Sequence, residues 1–384
     1  MAKDYATSDK FSVMKSPLYD WHRAVSAKMA DFGGWEMPIE YPKGVNGFSG
    51  GTLSEHYAVR ERVGIFDVSH LGKISVSGAG AKDFVNTMVT NDLAKIAAGS
   101  AQYNLFCNHD GGVIDDLIIY EFSEDKIFII PNAANCEQVF LDLAGKAPSQ
   151  IVVKNIHQDY AVFAIQGPDS RRVIAKLGLE LDLGYMEFTK IALPSFPEFG
   201  EIIICRTGYT GEFGYELLPE WDSAEKLWQV LVNEISEFDG RVCGLGARDT
   251  LRTEMGYPLH GHELSLEISP VQASVNWAVV YEKDDFVGKR ALEKEKQVGP
   301  KQISRALKCE DRGIPRAGMK VLNLEGEVIG QVTSGTFSPT LKVGIALALL
   351  KPEYKVSGKV QIDVRGRLSN ATIVKAPFIP SRVR

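Results

Sequence analysis

The sequence contains no apolar run that approaches the roughly 20 residues a membrane-spanning helix needs. A typical apolar run, 345–350, has only the length of a β-strand. Residues 1–10 have no apolar core and already include two aspartates, so neither a secretory signal peptide nor an Arg-rich transit peptide is expected. Association with a membrane is therefore not predicted.

Cysteine is scarce, and its spacing offers no metal motif. The five cysteines are odd in number and scattered, without a C-x-x-C pair, which is typical of free thiols in a reducing compartment. His70, His260 and His262 lack metal-ligand spacing with carboxylates, so we expect structural or surface roles for them and no metal site. The net charge of −6 argues against a general nucleic-acid-binding protein.

Several common catalytic motifs are also missing. No phosphate-binding G-x-x-x-x-G-K-[ST] sequence occurs, and Gly244-Leu-Gly-Ala-Arg-Asp249 lacks the third glycine of a dinucleotide fingerprint. There is no G-x-S-x-G segment, and no cysteine has an evident histidine partner. Nucleotide binding and covalent nucleophilic catalysis are not indicated.

The length of 384 residues exceeds what one core usually supports, so two or three domains are expected. The order strand, glycine break and helix occurs twice, first from 73 and again from 160, which indicates two related α+β (ferredoxin-like) halves within 16–282. Residues 306–378 alternate short strands and turns, as in a small barrel or sandwich. The predicted fold is α+β, with a C-terminal β domain (barrel or jelly-roll-like) over 302–380.

Two helix starts carry capping signals. Asp169 precedes an apolar helical pattern and is expected to cap it. Asp222 and Glu225 have the spacing of a capping box at the start of an amphipathic helix. A further helix is predicted over 53–63, and Cys136 has helical spacing that indicates core packing.

Two adjacent carboxylates interrupt a predicted strand over 111–120. Alternation places Asp115 on one face and Asp116, with Tyr120, on the other. Both faces are mostly apolar, and a carboxylate buried there costs several kcal/mol unless it is hydrogen-bonded, paired or functional. A turn cap or a salt bridge would explain one buried aspartate, but two on opposite faces favour a functional role.

Two further polar residues stand in apolar surroundings. Glu216 ends a glycine-rich turn, and Arg248 lies on a predicted helix. A carboxylate directed into a pocket suits a ligand with paired N–H donors, such as a guanidine-like or pterin-like ring. The alternatives are a strand-end salt bridge for Glu216, and pairing of Arg248 with Glu254 or a neighbouring chain.

With these residues in place, the sequence resembles the T-protein family of the glycine cleavage system, the folate-dependent aminomethyltransferases. The resemblance runs nearly end to end. The segments that carry it are Pro17-Leu-Tyr19, Phe32-Gly-Gly-Trp35, Gly64-Ile-Phe-Asp-Val-Ser-His70, Gly111-Gly-Val-Ile-Asp-Asp-Leu117, Gln166-Gly-Pro168, Thr207-Gly-Tyr-Thr-Gly-Glu212, Cys243-Gly-Leu-Gly-Ala-Arg-Asp249 and Thr333-Ser-Gly-Thr-Phe-Ser-Pro-Thr340.

The resemblance implies that tetrahydrofolate occupies a channel through the two α+β domains and that the partner is a lipoylated H-protein. It also implies transfer of the aminomethyl carbon to tetrahydrofolate with release of ammonia. Asp116 matches the catalytic aspartate and Glu216 the residue that grips the pterin, while Arg248 reaches the glutamyl tail or braces Glu216. The matching channel-wall positions, for which plain core packing is the alternative, are Leu71, Tyr103, Ile130, Asn132 and Trp277. Tyr120 is expected to line the same pocket.

The chain departs from the family pattern at two places. An insertion at 43–51 is expected to form a loop that alters the rim or partner docking, and the segment 377–384 ends in arginines, so we expect a solvated tail without a folate contact. Competing functions are a folate-dependent demethylase and a non-catalytic folate-binding protein of iron–sulfur assembly. The latter carries Lys-Gly-Cys-Tyr where this chain has Arg206-Thr-Gly-Tyr209. The expected location is the bacterial cytoplasm, with the mitochondrial matrix as the alternative.

Overall fold

The computed structural model describes residues 13–384, so the prediction about residues 1–10 lies outside the described part. The strands are, in chain order, β1 (Met14–Lys15), β2 (Lys28–Phe32), β3 (Trp35–Glu40), β4 (Gly64–Asp67), β5 (Ile74–Ser77), β6 (Ser100–Cys107), β7 (Val113–Ser123), β8 (Lys126–Ile130), β9 (Val152–Asn155), β10 (Phe163–Gln166), β11 (Phe188–Ala192), β12 (Glu201–Cys205), β13 (Gly214–Leu218), β14 (Arg241–Val242), β15 (Ile303–Cys309), β16 (Lys320–Leu322), β17 (Val328–Ser338), β18 (Val343–Leu350), β19 (Lys359–Val364) and β20 (Arg367–Val374). The α-helices are α1 (Tyr19–Ala24), α2 (Thr52–Glu61), α3 (Ala81–Met88), α4 (Cys136–Lys146), α5 (Ser170–Lys176), α6 (Ala224–Ser236), α7 (Leu245–Met255) and α8 (Lys289–Val298).

The first large sheet has five strands in the order β6-β7-β8-β5-β9, all paired antiparallel. Helices α3 and α4 cover one face, where Val85 and Val139 pack with Leu117 and Ile119 of β7. Cys136 is buried in the same core, which confirms its predicted packing role. Strand β5, a glycine turn and α3 together form the first of the two predicted repeats.

The second sheet has six strands in the order β11-β12-β13-β10-β4-β14. It contains the second repeat, in which β10 runs through Gly167 into α5. Helices α5 and α6 pack on one face, with Trp228 and Leu231 of α6 buried against Phe163. Strand β4 precedes the first sheet in the chain but pairs with β10 of the second, so the two halves interleave.

The opposite faces of the two sheets share a core. Tyr120 and Phe128 from the first sheet pack with Phe66, Phe188 and Ile203 from the second. Burial of each such side chain stabilises the fold by about 1.5–3 kcal/mol. The predicted mixed α+β architecture is confirmed, and the even-numbered face of β7 lies towards this shared core.

The C-terminal strands form a closed barrel in the order β15-β18-β17-β16-β19-β20, in which β15 also pairs with β20. Its interior contains Leu307, Val321, Ile362 and Ile373, all fully buried. Of the alternatives that the sequence left open, the barrel is therefore the observed one. Closure leaves no edge strand exposed along the barrel.

Both capping predictions are wrong. The residues Trp221–Ser223 form a 3-10 turn before α6 begins at Ala224, and neither Asp222 nor Glu225 makes a capping bond. Asp169 does precede α5, but its carboxylate pairs with Arg172 at 2.8 Å. The residues that precede the two helices, Asp169 (φ −87°, ψ 2°) and Ser223 (φ −94°, ψ −7°), lack the extended backbone that is typical of a capping residue.

The arginines of the C-terminal tail, Arg382 and Arg384, are exposed as expected, but the tail backbone is hydrogen-bonded to the rest of the protein, which the sequence did not predict. Phe378 N donates to Glu254 O at 2.8 Å, and Arg382 N donates to Gly211 O at 2.7 Å. Arg206 also donates to Val383 O. The tail thus lies along the end of α7 and the loop that leads to β13.

The inserted loop at 43–51 packs against α6. Asn46 Nδ2 donates to Ser236 Oγ at 3.0 Å, and Arg241 Nε donates to Ser49 O at 3.1 Å. These contacts join the loop to α6 and to β14. None of the described helices is long and apolar enough to cross a membrane.

Candidate active site

Asp116 on β7 lies at the centre of a polar cluster. The Tyr103 hydroxyl on β6 donates to Asp116 Oδ2 at 3.1 Å, and Asn132 Nδ2 donates to Oδ1 at 2.9 Å. Burial raises the pKa of the Asp116 carboxyl, although the Tyr103 hydrogen bond, the neighbouring His260 and the Asn132 hydrogen bond oppose that shift. A carboxyl with a raised pKa suits a group that takes up and returns a proton near neutral pH.

The two carboxylates of β7 lie on opposite faces, as the alternation predicts. Asp115 is fully buried on the face that α4 covers, whereas Asp116 keeps some exposed surface. Asp115 accepts three N–H donors: Asn132 N at 2.9 Å, Asn132 Nδ2 at 2.8 Å and Asn135 Nδ2 at 2.7 Å. Only Asp116 is therefore open to a ligand.

Tyr103 connects this cluster to the surface. Its ring stacks on Trp277, with centroids 5.2 Å apart and planes at 28°. Trp277 is 68% exposed and belongs to the short 3-10 turn Asn276–Ala278. The two aromatic residues thus extend from Asp116 to the protein surface.

Glu216 lies on β13, where it is 8% exposed. The Thr207 hydroxyl donates to Glu216 Oε2. Within the described part of the chain, no cationic nitrogen lies within 4.0 Å of its carboxylate, so a strand-end salt bridge does not explain it. The carboxylate is held by one hydroxyl and keeps further acceptor capacity.

Arg248 lies on α7 near Glu216. Its guanidinium stacks over the Tyr209 ring at 4.7 Å, and its Nη1 is buried without a hydrogen-bond partner among residues 13–384. Burial lowers the pKa of Arg248, while Glu216 and Tyr209 act in the opposite direction. The alternative pairing with Glu254 is wrong, because Glu254 instead binds Arg60 Nη2 at 2.8 Å.

Tyr209 lies near both Arg248 and Asp116. The sequence did not single it out as a site residue. Burial raises the pKa of Tyr209, and the charges of Arg252, Asp116 and Arg248 also act on it. Its hydroxyl donates to Pro258 O. The only sequence signal was an aromatic residue between the glycines of the segment 207–211.

Three of the predicted wall residues belong to the shared core. Leu71, Tyr120 and Ile130 pack in one cluster, in which Tyr120 meets Phe188 edge to face at 5.3 Å. Burial raises the pKa of Tyr120, and Cys205 and Glu216 add to that shift. With 1% exposure, Tyr120 contributes mainly as packing in this core.

His70 lies at the same site, in the turn after β4. Burial lowers the pKa of His70 to about 3, and the positive charge of Arg248 adds to that shift. Its Nδ1 is buried without a hydrogen-bond partner in the described structure, and its ring meets Phe32 edge to face at 5.4 Å. The structural role expected for His70 does not explain why its Nδ1 has no hydrogen-bond partner, because buried polar atoms are normally paired.

No group of three or more His, Cys, Asp or Glu side chains in residues 13–384 is arranged to hold a metal ion.

Comparison with known families gives two matches that together span most of the chain. Residues 18–283 match the GCVT N-terminal domain, and residues 304–379 match the glycine cleavage T-protein C-terminal barrel domain.

Individual relatives are similar over almost their whole length. An aminomethyltransferase of Parafrankia sp. (strain EAN1pec) is 51% identical over 370 residues, which cover 96% of this chain and 99% of the relative. An aminomethyltransferase of Mycobacterium tuberculosis (strain ATCC 25618 / H37Rv) is 49% identical over 98% of this chain and 100% of its own. The crystal structure of the glycine cleavage system aminomethyltransferase T from Bartonella henselae superposes with a TM-score of 0.88 at 31% identity, covering 97% of this chain and 99% of that one.

Proposed function

Because this chain belongs to the family of glycine cleavage T-proteins, the aminomethyltransferases of the glycine cleavage system, we propose that its candidate active site transfers the aminomethyl carbon of a lipoylated H-protein to tetrahydrofolate. The family uses tetrahydrofolate. The products are 5,10-methylenetetrahydrofolate, ammonia and dihydrolipoyl H-protein. Tetrahydrofolate supplies the two nitrogens that hold the carbon in the product.

The polar groups around Glu216 fit a pterin ring. A pterin presents adjacent N–H donors at its 2-amino group and N3, and Glu216 is a buried carboxylate with free acceptor capacity. It also presents an oxygen acceptor, and Arg248 Nη1 is a buried donor without a partner in the described chain. Bidentate recognition of paired donors by a carboxylate gives both affinity and orientation.

The apolar and aromatic residues fit the rest of the ligand. Leu71 and Ile130 belong to one apolar cluster of the shared core, while Tyr103 and Trp277 stack from Asp116 to the surface. Pockets for small molecules typically combine such apolar walls with a few placed polar groups. Asn132 Nδ2 donates to the Asp116 carboxylate at 2.9 Å.

Asp116 is the proposed catalytic residue. In the overall reaction, the two nitrogens of tetrahydrofolate that bind the carbon each lose one hydrogen. One hydrogen ends on ammonia and the other on the dihydrolipoyl thiol. Asp116 can take up and return a proton at Oδ2, the oxygen to which the Tyr103 hydroxyl donates. Burial keeps the pKa of Asp116 raised, so the carboxyl is able to hold that proton.

The observation that carries the proposal is that Tyr209 lies near both Arg248 and Asp116: the Arg248 guanidinium lies 4.7 Å from the centre of its ring, and the charges of Arg248 and Asp116 both act on the pKa of Tyr209. Neither Arg248 nor Glu216 has an ion-pair partner within the described chain, and the charge of Glu216 acts on Arg248. A coupled assay with tetrahydrofolate and aminomethyl-lipoyl H-protein tests it, with ammonia and methylenetetrahydrofolate measured together. Ammonia release that depends on tetrahydrofolate is expected. Folate binding without release would favour the demethylase alternative, and loss of both would contradict the proposal.

Replacing the pterin-binding carboxylate is expected to weaken binding of tetrahydrofolate. In Glu216→Gln a charged acceptor becomes an amide, and one hydrogen bond to a charged group contributes about 1.5–3 kcal/mol, which is roughly a tenfold to 150-fold change in Kd. Equilibrium titration of tetrahydrofolate measures the change. Glu201→Gln, on the adjacent strand β12 but exposed, is the matched control and should leave Kd unchanged. An unchanged Kd in Glu216→Gln would refute the assignment.

A further inference from the structure

The segment 276–283, which carries Trp277, is tied by the side chain of Lys283 to the end of α3 and to the turn 89–91 that follows it. Lys283 Nζ donates to three backbone carbonyl oxygens, which belong to Asn86 (2.5 Å), Val89 (2.7 Å) and Asn91 (2.8 Å). These carbonyls lie 192 to 197 positions away from Lys283 in the chain. The contact is therefore made by the tertiary structure and joins two distant segments.

The number of hydrogens on Lys283 Nζ matches the number of carbonyls. Burial lowers the pKa of Lys283 to about 8, while the charge of Asp92 opposes this shift and the charge of Lys289 adds to it. The ammonium is therefore the main form at pH 7, and it has three N–H donors. Each donor has one carbonyl, so an apolar side chain at this position would remove three hydrogen bonds together.

The turn 89–91 binds the same segment at a second point. The Thr90 side chain is fully buried, and its hydroxyl donates to Ala278 O at 2.8 Å. In the other direction, Val280 N donates to Thr90 O at 2.9 Å. Ala278 directly follows the exposed Trp277, so the backbone beside this indole is fixed from the turn.

The turn 89–91 also binds the residue on which Trp277 stacks. Asn91 Nδ2 donates to Tyr103 O at 3.0 Å. The Tyr103 ring lies 5.2 Å from that of Trp277, and the Tyr103 hydroxyl donates to Asp116 Oδ2 at 3.1 Å. Both members of the aromatic stack are thus attached to one turn, and a displaced segment would move Trp277 away from Asp116.

Apolar packing and helix capping do not explain all of these contacts. Val275, Ala278 and Val279 are buried in one apolar cluster, but such attraction has no preferred direction and does not fix how the segment lies along the turn. Lysine often binds the free carbonyls at the end of a helix. That role does not require the two bonds of Thr90 to the same segment.

We propose that Lys283 is a positioning residue, which holds the segment 276–283 in place and thereby keeps Trp277 stacked at the proposed active site. Thr90 contributes to the same attachment. The inference rests on the proposed function, since it assigns Lys283 to the site of that reaction. A segment that is already ordered spares the substrate the free-energy cost of ordering it on binding.

Hydrogen–deuterium exchange of the whole protein without substrates tests the attachment. In Lys283→Met the backbone amides of 276–283 are expected to lose most of their protection. Each hydrogen bond from a charged donor changes the equilibrium by about tenfold or more, and three are lost together. In the coupled assay at pH 7, the KM for tetrahydrofolate should rise about tenfold at an unchanged kcat, which corresponds to a segment ordered in roughly one molecule in ten.

The Thr90 variants form a matched pair. Thr90→Val keeps the shape of the side chain without its hydroxyl, and it should speed exchange in 276–283 by a smaller factor, because one hydrogen bond is lost. Thr90→Ser keeps the hydroxyl and should exchange like the wild type.

Lys82→Met separates this effect from a general loss of stability. Lys82 on α3 pairs with Glu121 at 2.9 Å and does not contact the segment 276–283. Its substitution should lower the urea midpoint but leave the exchange of that segment and the KM unchanged. Wild-type exchange in folded Lys283→Met, or equal loss of protection in Lys82→Met, would overturn the inference. Because the exchange needs no folate, failure of the proposed function alone leaves this outcome readable.

Discussion

Asp116→Asn is expected to lower the turnover number by about 10²–10⁴-fold, the range that a placed general acid–base group contributes. The substitution keeps the size and hydrogen-bonding contacts of the side chain, so Tyr103 and Asn132 retain a partner at 3.1 and 2.9 Å. An amide cannot take up and return a proton at this position. The coupled release of ammonia and formation of methylenetetrahydrofolate measures the loss, and the affinity for tetrahydrofolate should change little.

The control for this variant is Asp110→Asn. Asp110 is exposed in the turn before β7 and is expected to keep full activity when it is substituted. Tyr103→Phe removes the hydroxyl that donates to Asp116 and should give a smaller loss than Asp116→Asn. Wild-type turnover in Asp116→Asn, with the fold retained by circular dichroism, would contradict the assignment of Asp116 as the catalytic residue.

Glu254→Ala is expected to lower the free energy of unfolding by about 3–5 kcal/mol, the cost of breaking a buried ion pair by removing one partner. Glu254 on α7 is fully buried and accepts from Arg60 Nε and Nη2, at 3.0 and 2.8 Å. It also accepts from Ser338 Oγ at 2.5 Å and from Thr340 Oγ1 at 3.0 Å, at the end of barrel strand β17. The substitution leaves Arg60 buried with one carboxylate fewer and removes the bonds that join Glu254 to Ser338 and Thr340 of the barrel domain.

Urea denaturation followed by circular dichroism measures this change. Glu61→Gln alters an exposed glutamate beside Arg60 on α2 and should leave the midpoint unchanged. A Glu254→Ala midpoint equal to that of the wild type would show that the ion pair contributes nothing net to stability.

The Glu254 carboxylate also makes the free energy of unfolding depend on pH. Burial opposes ionisation of Glu254, but His56, Arg60 and Ser338 outweigh it and lower its pKa to about 2 from 4.5. Because the folded-state pKa is the lower one, this contribution of about 3 kcal/mol is fully present above pH 4.5 and is lost as the pH falls towards 2. In Glu254→Gln the corresponding part of the acid sensitivity should disappear from urea midpoints measured across that range.

The sequence by itself determined the architecture and the central carboxylates. Alternation in 111–120 predicted that Asp115 and Asp116 lie on opposite faces, because side chains of a strand alternate strictly, and the burial of Asp115 confirms it. The repeated strand, glycine and helix predicted the two α+β halves, and the short strands after 306 predicted the barrel or sandwich. These features depend on local periodicity, which a single sequence displays.

Only the tertiary structure decided which polar residues meet. Glu254 was an alternative partner for Arg248, yet Arg60, 194 residues earlier in the chain, is the residue that binds it. Tyr209, Asn135 and His260 acquire their contacts from segments that are distant in the chain, as in the bond between Asn135 and His260 over 125 residues. The predicted N-cap at Asp169 and the predicted capping box of Asp222 and Glu225 failed because the residues that precede α5 and α6 do not have the extended backbone of a capping residue, which the local pattern does not fix.

The C-terminal tail also differs between what its sequence predicts and what the tertiary structure decides. Its composition predicted a solvated segment, but its backbone pairs with Glu254 and Gly211, groups that become neighbours only when the second sheet and α7 have packed. Local periodicity fixes which face of an element is buried, since it depends on residues two to four positions apart. Hydrogen bonds and ion pairs between distant segments depend on how those faces are brought together, and a burial pattern does not encode that choice.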